Sequence, residues 1–554
     1  MRRRPTDAEV AVPGGPVAPG TAHPGGALPC EQATGPDPDV RSVARGGAAN
    51  ILSAACSAAV NVGLALLAAR GVSAEAAGAF FATTSVFLIV ARVCDLGSST
   101  GLVYHLSRSR ALGQETVIGR YLGIGIVPIV LLATVAGAVL FVLAPQVGAL
   151  IGDDPGETAG YVRAVAVFVP VAVLSDACIS ATRGMGSMRA TALVEQVLRP
   201  LLQTALAVIA IAVGGGLALT VAWAAPYVVS AALAWWWLSR LQQSALRRHR
   251  EADGAVPRPS AAGYWRYTAP RAVGAAAQVA LQRLDIVLVA SLLGAEEAAL
   301  YTAATRFVVL GQLFGTAISF AVAPALGVAI ARGDRAGAGR LFRTATTWLV
   351  LLTWPIHLGV AVLSPLLLRM FGPGYEAGTP VVVILCFAML CATGVGSVDT
   401  VLLMAGRTTW SLGNTVLALA ANIAVDLLLI PRIGIAGAAV GWATAIVIAN
   451  LLALAQVSRS PGLHPFDRAW VTAAGLAAVC IGLVPAGFLW VGGGHPVARV
   501  FGLTVGVGLF AGGCWRARAT LRLPELLALR HRSRLLSAGS AGTSGATSAP
   551  EGSR

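Results

Sequence analysis

Long apolar stretches alternate with short polar connections over most of the 554 residues of the chain. A helix that crosses a bilayer needs about 20 consecutive, mostly apolar residues. The alternation therefore predicts an all-α integral membrane protein with about fourteen transmembrane helices. The predicted spans are 47–69, 78–106, 118–143, 161–183, 191–213, 217–239, 268–293, 299–327, 342–367, 379–404, 409–430, 435–457, 470–491 and 497–515.

Polar segments at both ends and after the sixth span divide the chain into predicted parts. Residues 1–45 are rich in Pro, Gly, Ala and Arg and show no periodicity, which indicates a disordered tail. The predicted parts are a cytoplasmic tail (1–45), a first six-helix lobe (46–240), a cytoplasmic loop (241–267), a second six-helix lobe (268–458), two extra helices (469–515) and a basic, then Ser/Gly-rich cytoplasmic tail (516–554).

The two predicted lobes show a weak internal repeat. Residues 75–80 (EAAGAF) open the second helix of the first lobe, and residues 296–301 (EEAALY) open the second helix of the other. Repeated lobes around a site near the bilayer midplane are the usual build of secondary transporters. We therefore expect two six-helix lobes related by pseudo-two-fold symmetry.

Composition and charge support a membrane protein and argue against nucleic-acid binding. Hydrophobic residues make up 56% of the chain and charged residues 12%, whereas soluble domains carry roughly 25% charged residues. The net charge is +15 and every basic residue is arginine, but the arginines fall between apolar runs. With the N-terminus inside, 18 arginines lie in cytoplasmic loops and 5 in opposite loops. This bias predicts a multi-pass protein of the cytoplasmic membrane with both termini cytoplasmic.

Several kinds of chemistry have no counterpart in the sequence. The eight cysteines lie mostly inside apolar runs and show no zinc or redox spacing. No Walker motif is present, so we expect no ATP hydrolysis by this chain. We expect no cofactor, no metal and no enzymatic activity. A membrane polymerase or ligase remains an alternative, although the large outer loop typical of such enzymes is missing from the sequence.

Ionisable residues inside predicted spans are candidates for function, because a charge at the bilayer centre costs at least about 2.5–3.5 kcal/mol. Arg92 and Asp95 lie near the middle of the second span, three residues apart, and can pair on one helix face. They can bind substrate in a cavity or form an internal salt bridge that fixes helix packing. Arg271 lies nearer the cytoplasmic end of the seventh span.

A second group of charges lies in the seventh and eighth spans. Arg283 and Asp285 are two residues apart and so face different directions. Arg306 lies at a similar depth on the eighth span, which runs the opposite way. These residues predict a triad with a net charge of +1 lining a cationic cavity, because arginine matches the fork geometry of phosphate. The alternative is a set of internal salt bridges that fix helix packing.

Four further acids lie nearer the helix ends and are candidates for coupling to a cation. Glu195 can instead pair with Arg199, four residues later on the same helix. The four acids are Asp176, Glu195, Asp399 and Asp426.

Four segments in order make the chain resemble the polysaccharide-biosynthesis flippases of the multidrug/oligosaccharidyl-lipid/polysaccharide (MOP) exporter superfamily. The likeness covers roughly residues 45–460, and its most specific part is a turn between the eleventh and twelfth spans. The segments are 69–78 (ARGVSAEAAG), 371–377 (FGPGYEA), 403–407 (LMAGR) with Asn414 and Asn422, and 430–439 (IPRIGIAGAA).

The resemblance implies two six-helix bundles in a V, an alternating-access cavity between them and a lipid-pyrophosphate-sugar substrate. Family members place basic residues in the first, second, seventh and eighth helices, but no arginine lies between Arg45 and Arg70 in this chain. The two extra helices resemble the fourteen-helix lipid II flippase branch. Membrane lipids, a polysaccharide polymerase and glycosyltransferases are the expected partners.

The resulting functional hypothesis is a flippase for a polyprenyl-(pyro)phosphate-linked oligosaccharide used in cell-surface polysaccharide biosynthesis. A lipid II flippase and a cation-coupled multidrug efflux transporter are the alternatives. The multidrug alternative requires a net acidic, aromatic cavity, whereas the deep charges here are at least as basic as acidic.

Overall fold

The computed structural model describes residues 56–57, 59–248, 259–308, 312–460, 462–493 and 495–523. Within these ranges the chain forms helices and turns, and no strand. The predicted tail 1–45, most of the predicted tail 516–554 and residues 249–258 of the predicted loop lie outside the described residues.

The helices before the long loop are α1 to α10. An eight-residue π-helix, Thr191–Leu198, leads directly into α8. The bounds are α1 Ala59–Gly71, α2 Ala74–Cys94, α3 Ser98–Ala111, α4 Ile118–Val142, α5 Ala144–Ile151, α6 Pro155–Ala166, α7 Val169–Gly184, α8 Arg199–Val213, α9 Gly216–Ala224 and α10 Pro226–Arg248.

The helices after the loop are α11 to α21. A six-residue π-helix, Ala478–Leu483, joins α19 to α20. The bounds are α11 Ala261–Leu293, α12 Ala295–Arg306, α13 Gln312–Ala331, α14 Arg335–Arg369, α15 Thr379–Gly394, α16 Val398–Met404, α17 Thr408–Ile433, α18 Ile435–Arg459, α19 Arg468–Ala477, α20 Val484–Val491 and α21 Pro496–Arg516.

Twelve helical segments in the described residues are long and apolar enough to span a membrane, and they match twelve of the fourteen predicted spans. The first predicted span is described only in part, as α1. The eighth corresponds to α12 and α13, and residues 309–311 between them lie outside the described residues. The all-α, multi-span membrane architecture is therefore confirmed, whereas the pseudo-two-fold relation of the lobes stays a prediction.

Short polar side chains begin several of the helices. Ser73 accepts a hydrogen bond from the backbone N–H of Ala76 at the start of α2, and Asp154 caps α6. Asp334 and Asp467 cap α14 and α19 in the same way. Each cap satisfies backbone N–H groups that lack a partner in the first turn, so these sites fix where the chain turns back into the apolar region.

The second predicted span is broken in its middle. Leu96 and Gly97 both adopt positive φ, 47° and 72°, and separate α2 from α3. Gly97 also lies against α11, where a Cβ would come within 2.9 Å of the Thr268 carbonyl oxygen. The left-handed backbone and the close approach both require glycine at this position.

The two halves of the chain meet where α11 and α12 pack against α2. At one end of this seam a Cβ on Gly78 would come within 1.6 Å of the carbonyl oxygen of Ala295, and Asp153 accepts a hydrogen bond from the Ala295 N–H at 3.1 Å. Toward the other end the hydroxyl of Tyr264 lies 2.6 Å from that of Ser98. We call these the Gly78–Ala295 contact and the Ser98–Tyr264 contact.

The last helices form a separate layer outside the second half. α19 and α21 pack on α14, and Arg499 donates a hydrogen bond to the Val362 carbonyl oxygen at 3.1 Å. Large apolar side chains remain exposed on this layer, for example Trp490 at 87% and Leu483 at 67%. Such a surface is compatible with acyl chains and not with water.

Candidate functional site

A cationic cavity of about 190 Å³ lies in the seam between the two halves. Its charged lining residues are Arg199 from α8, Arg283 from α11, Arg306 from α12 and Glu195 from the π-helix that precedes α8. The remaining lining residues come from α1, α2, α8, α9 and α10 and from Ser57, and include Asn61, Phe81, Thr84, Gln203, Trp223 and Tyr227. We refer to this space as the cationic cavity.

Arg283 and Arg306 bring two positive charges to the cavity from the seventh and eighth spans. Both are half-buried, and neither forms a salt bridge with a carboxylate in the described part of the chain. Among the residues that the structure describes, the Arg306 Nε has no hydrogen-bond partner, and its guanidinium lies 5.9 Å from the ring centroid of Phe81. The two guanidinium groups repel each other electrostatically, so the cavity holds two like charges side by side.

Asp285 does not join these arginines. It is buried on the opposite side of α11, where the Tyr301 hydroxyl donates a hydrogen bond to its Oδ2 at 2.8 Å. The two-residue separation from Arg283 turns the side chains about 200° apart on a helix. The predicted triad with net charge +1 is therefore replaced by an arginine pair with charge +2.

A smaller cavity of about 150 Å³ adjoins the first and shares Leu88, Tyr227 and Arg283 with it. Arg92 and Asp95 line this space and are 3.7 Å apart, which confirms their predicted pairing. Asp95 stands at the end of α2, and its Oδ1 accepts hydrogen bonds from the N–H and the hydroxyl of Ser99 at 3.2 and 2.8 Å. The helix break thus holds a buried carboxylate beside the cavity.

Arg199 pairs with Asp176 at 3.3 Å and lies 4.7 Å above the ring of Tyr227. The sequence suggested Glu195 as its partner, on the assumption of regular α-helical geometry. Glu195 lies instead in the π-helix, whose wider turns shift the i, i+4 register. Its Oε2 is shielded from solvent and has no hydrogen-bond partner in the part of the chain that the structure describes.

A pair of buried carboxyl groups lies in the second half, apart from the cationic cavity. Asp285 and Asp426 are within hydrogen-bonding reach of each other, and Asn422 donates to the Asp426 Oδ2 at 3.0 Å. In the described ranges, the Oδ1 atoms of Asp285, Asn422 and Asp426 have no hydrogen-bond partner. Gly441 of α18 leaves room for this pair, because a Cβ there would come within 1.8 Å of the Asp426 Oδ1.

Two facing, buried carboxylates repel each other unless a cation or a proton lies between them. In the described part of the chain no cluster of three or more His, Cys, Asp or Glu residues could hold a metal ion. One proton shared between Asp285 and Asp426 is enough to remove this repulsion, and a single bound cation would do the same. We call Asp285 and Asp426 the carboxyl pair; Asn422 and Tyr301 donate hydrogen bonds to it.

The remaining predicted site residues lie elsewhere. Arg271 is exposed and stacks on Tyr267, with its guanidinium 3.8 Å from the ring centroid, so it lies outside the cavities. Asp399 lines a third cavity of about 520 Å³ in the second half and accepts a hydrogen bond from the Ser411 hydroxyl at 2.6 Å. Asp176 is half-exposed and lines the smaller cavity next to Arg92.

Arg199 and Tyr227 line the cavities but were not predicted as site residues. Arg199 lies in an apolar span, as Arg283 does, and could have been selected on that ground. Its spacing of four residues from Glu195 indicated an ion pair within one helix instead. Nothing in the pattern around Tyr227 marks it, because a tyrosine in a membrane helix is common.

Part of the chain matches a known family model, and its fold matches solved transporters. Residues 270–428 match the MatE family model. No curated protein sequence matches the chain significantly.

Among solved structures, the lipid II flippase MurJ in an inward closed conformation gives a TM-score of 0.65 at 13% identity, covering 84% of this chain and 97% of that protein. An inward-facing multidrug resistance MATE transporter of the MOP superfamily gives 0.56 at 13% identity, covering 73% and 96%. A MOP superfamily transporter from Pyrococcus furiosus, whose pocket is described as having reverse polarity, gives 0.51 at 16% identity, covering 79% and 95%. The chain therefore shares the fold of these transporters, and the family model matches part of its second half.

Proposed function

We propose that this protein is a flippase that moves a polyprenyl-diphosphate-linked oligosaccharide across the cytoplasmic membrane for assembly of a cell-surface polysaccharide. The observation that carries the proposal is the Arg283 and Arg306 pair, which lines the cationic cavity without a carboxylate partner among the described residues. A protein that holds two like charges inside a membrane at a cost of several kcal/mol has a use for them.

A diphosphate fits this arrangement chemically. Its two phosphate groups offer oxygens to several donors at once, and each guanidinium presents forked N–H groups. Hydrogen bonds to charged groups contribute about 1.5–3 kcal/mol each. Arg283 and Arg306 together can therefore offset much of the free energy needed to take a doubly charged headgroup out of water.

The neutral part of the lining suits the sugar and the lipid. Asn61, Thr84 and Gln203 line the same cavity and offer hydrogen-bonding groups beside Phe81 and Trp223, a mixture that recognises hydroxylated rings. A polyprenyl tail is apolar and gains nothing from a cavity lined by arginines and hydrogen-bonding groups, so it remains in the surrounding bilayer while the headgroup crosses.

Alternating access requires that the seam open at one end at a time. The Gly78–Ala295 contact closes one end, and the Ser98–Tyr264 contact closes the seam toward the other. In the orientation expected from the arginine bias, the first faces outward and the second faces the cytoplasm. Transport then consists of breaking one contact while the other holds.

The carboxyl pair provides a site for a coupling ion. Binding of one proton or one alkali cation between Asp285 and Asp426 removes their repulsion and draws α11 and α17 together. Because α11 also carries Arg283, the ion and the anion act on the same helix. This shared helix supports coupling of substrate movement to an ion gradient.

A multidrug efflux function fits the charges less well. Cationic drugs need an acidic, aromatic pocket, whereas the cationic cavity carries three arginines and one glutamate. A lipid II flippase remains a candidate of the same chemical class, since its substrate is also a lipid-linked diphosphate. Ethidium efflux by a pump-deficient host that expresses the chain would favour the multidrug alternative.

Transport in reconstituted vesicles tests the proposal. A fluorescent polyprenyl-diphosphate-oligosaccharide is incorporated, and its accessibility to an external glycosidase is followed over time. Arg283→Ala and Arg306→Ala should each reduce the rate by about tenfold to a hundredfold, the equivalent of about 1.5–3 kcal/mol. Arg271→Ala, which removes an exposed arginine outside the cavities, serves as the control. Equal rates for the control and the two cavity variants would refute the assigned role.

A further inference from the structure

One charge in the cationic cavity has the wrong sign for the proposed substrate. Glu195 lines the same space of about 190 Å³ as Arg199, Arg283 and Arg306. An anionic headgroup that enters this space approaches a carboxyl group as well as the arginines. If Glu195 served only to neutralise a neighbour, a direct salt bridge to that neighbour would be expected.

Within the described part of the chain, Glu195 forms no such salt bridge. Arg199 directs its guanidinium to Asp176 at 3.3 Å, and the Oε2 of Glu195 is shielded from solvent with no hydrogen-bond partner among the described residues. Glu195 owes this position to the π-helix Thr191–Leu198. π-Helical turns widen the helix and often mark functional sites.

Charged side chains from several neighbouring helices surround Glu195. α7 contributes Asp176 and Arg183, α8 contributes Arg199, and α2 contributes Arg92. Tyr227 of α10 lines the same cavity, and across it lie two more arginines. The charged and titratable groups facing Glu195 are Arg92, Asp176, Arg183, Arg199, Tyr227, Arg283 and Arg306.

We propose that Glu195 takes up a proton when the anionic headgroup enters the cavity, so that a proton and the substrate are bound together. Before binding, Arg199, Arg183 and Arg92 offset part of the cost of burying the Glu195 carboxylate beside Asp176. A diphosphate that engages those arginines withdraws this stabilisation and adds its own negative charge. Protonation then relieves the repulsion and leaves a neutral hydroxyl that can donate a hydrogen bond to a phosphate oxygen. This inference rests on the proposed function of the cavity.

The size of the effect follows from electrostatics. Two unit charges several ångströms apart in a partly buried site interact strongly enough to change an equilibrium by about tenfold to a hundredfold. Linkage requires that a group protonated on binding makes binding tighter as pH falls, with a limit of about tenfold per pH unit for one proton. Glu195 is thus a specificity and coupling residue of the anion site, separate from the carboxyl pair.

Calorimetry of the purified full chain in nanodiscs tests the proposal. The probe is farnesyl-diphospho-N-acetylglucosamine, a diphosphate diester whose own charge is constant from pH 5 to pH 8. Titrations in buffers with different heats of ionisation give the number of protons taken up per probe bound. The wild-type chain should take up a measurable fraction of one proton per probe bound. It should also bind the probe more tightly at pH 6 than at pH 8.

Three variants separate a proton acceptor from a structural side chain. Glu195→Gln should bind the probe with no proton uptake and with an affinity that hardly changes with pH. Glu195→Asp, which keeps a carboxyl group, should restore uptake. Glu296→Gln, which removes an exposed carboxyl group at the start of α12, should match the wild-type chain.

The outcomes distinguish this proposal from the proposed function. Equal proton uptake by the wild-type chain and Glu195→Gln, or uptake lost in Asp426→Asn but not in Glu195→Gln, would overturn the role of Glu195. Absence of probe binding, or binding that Arg283→Ala and Arg306→Ala leave unchanged, would instead overturn the anion site itself.

Discussion

Arg283 and Asp285 stand two residues apart on α11 and serve different spaces. Arg283 lines the cationic cavity in the seam, whereas Asp285 is buried against Tyr301 and Asp426 in the second half. One helix therefore carries both the proposed anion contact and the proposed ion site. We therefore expect a substitution at either residue to shift α11 and so change the position of the other side chain.

Loss of either carboxyl group should uncouple transport from an ion gradient. Asp285→Asn and Asp426→Asn each replace one member of the carboxyl pair by a neutral amide, so that no added charge is needed between them. Flipping driven by a gradient of the ion that binds the carboxyl pair should fall, in a pH gradient to the rate that protonation of Glu195 alone supports, while downhill exchange persists. Vesicles with a pH gradient at constant sodium, and with a sodium gradient at constant pH, identify the ion.

Asp399→Asn is the matched control for these substitutions. Asp399 lies in the third cavity and bonds to the Ser411 hydroxyl, so its loss should leave gradient-driven flipping in place. If Asp399→Asn abolishes the gradient effect and Asp285→Asn does not, the carboxyl pair is not the coupling site.

Gly441→Ala should reduce gradient-driven flipping as Asp285→Asn and Asp426→Asn do, although it removes no carboxyl group. The added methyl would meet the Asp426 Oδ1 at 1.8 Å, and overpacking of a filled site destabilises by about 1–3 kcal/mol. Gly413→Ala on α17 meets nothing within 4 Å and should be neutral or slightly stabilising. Thermal unfolding and gradient-driven flipping of both variants provide the measurement. A Gly441→Ala protein with wild-type coupling would contradict the tight packing seen here.

Gly78→Ala should prevent closure at the Gly78–Ala295 contact. A methyl group cannot occupy a point 1.6 Å from the Ala295 carbonyl oxygen, and a backbone carbonyl cannot move aside as a side chain can. The seam should stay open at this end, and a cysteine introduced at Thr84 in a cysteine-free background should react faster with an impermeant maleimide. Gly63→Ala, with nothing within 4 Å of the added methyl, should leave the labelling rate unchanged.

Tyr264→Phe should loosen the opposite end of the seam. The substitution removes the hydroxyl that lies 2.6 Å from the Ser98 hydroxyl, a loss of about 1 kcal/mol. The population open at that end should rise by about fivefold, measured by spin-label distances between α3 and α11. Tyr104→Phe, which keeps the ring stacked on Tyr267 and removes a hydroxyl on the exposed side, should leave those distances as they are.

The transmembrane spans and many charged residues inside them could be predicted from the sequence, because the length of an apolar run and a charge within it can both be read from a short stretch of the chain. Arg92 with Asp95 was predicted as a pair, since three residues on a helix bring side chains together. The partner of Asp285 was not, because Asp426 lies on α17, far away in sequence. Arg199 forms its salt bridge with Asp176, on another helix, and is attracted to Glu195 at longer range. A π-helix replaces the regular helix at Glu195, and nothing in the sequence signals that change.

The interruption at Leu96 and Gly97 has a mechanical consequence. A continuous helix transmits rotation along its whole length, because each turn is bonded to the next. At Leu96 and Gly97, which both have positive φ, this regular repeat is interrupted between α2 and α3. We therefore expect that α3 keeps its contact with Tyr264 while α2 moves away from Ala295. The two segments of one span can then move separately.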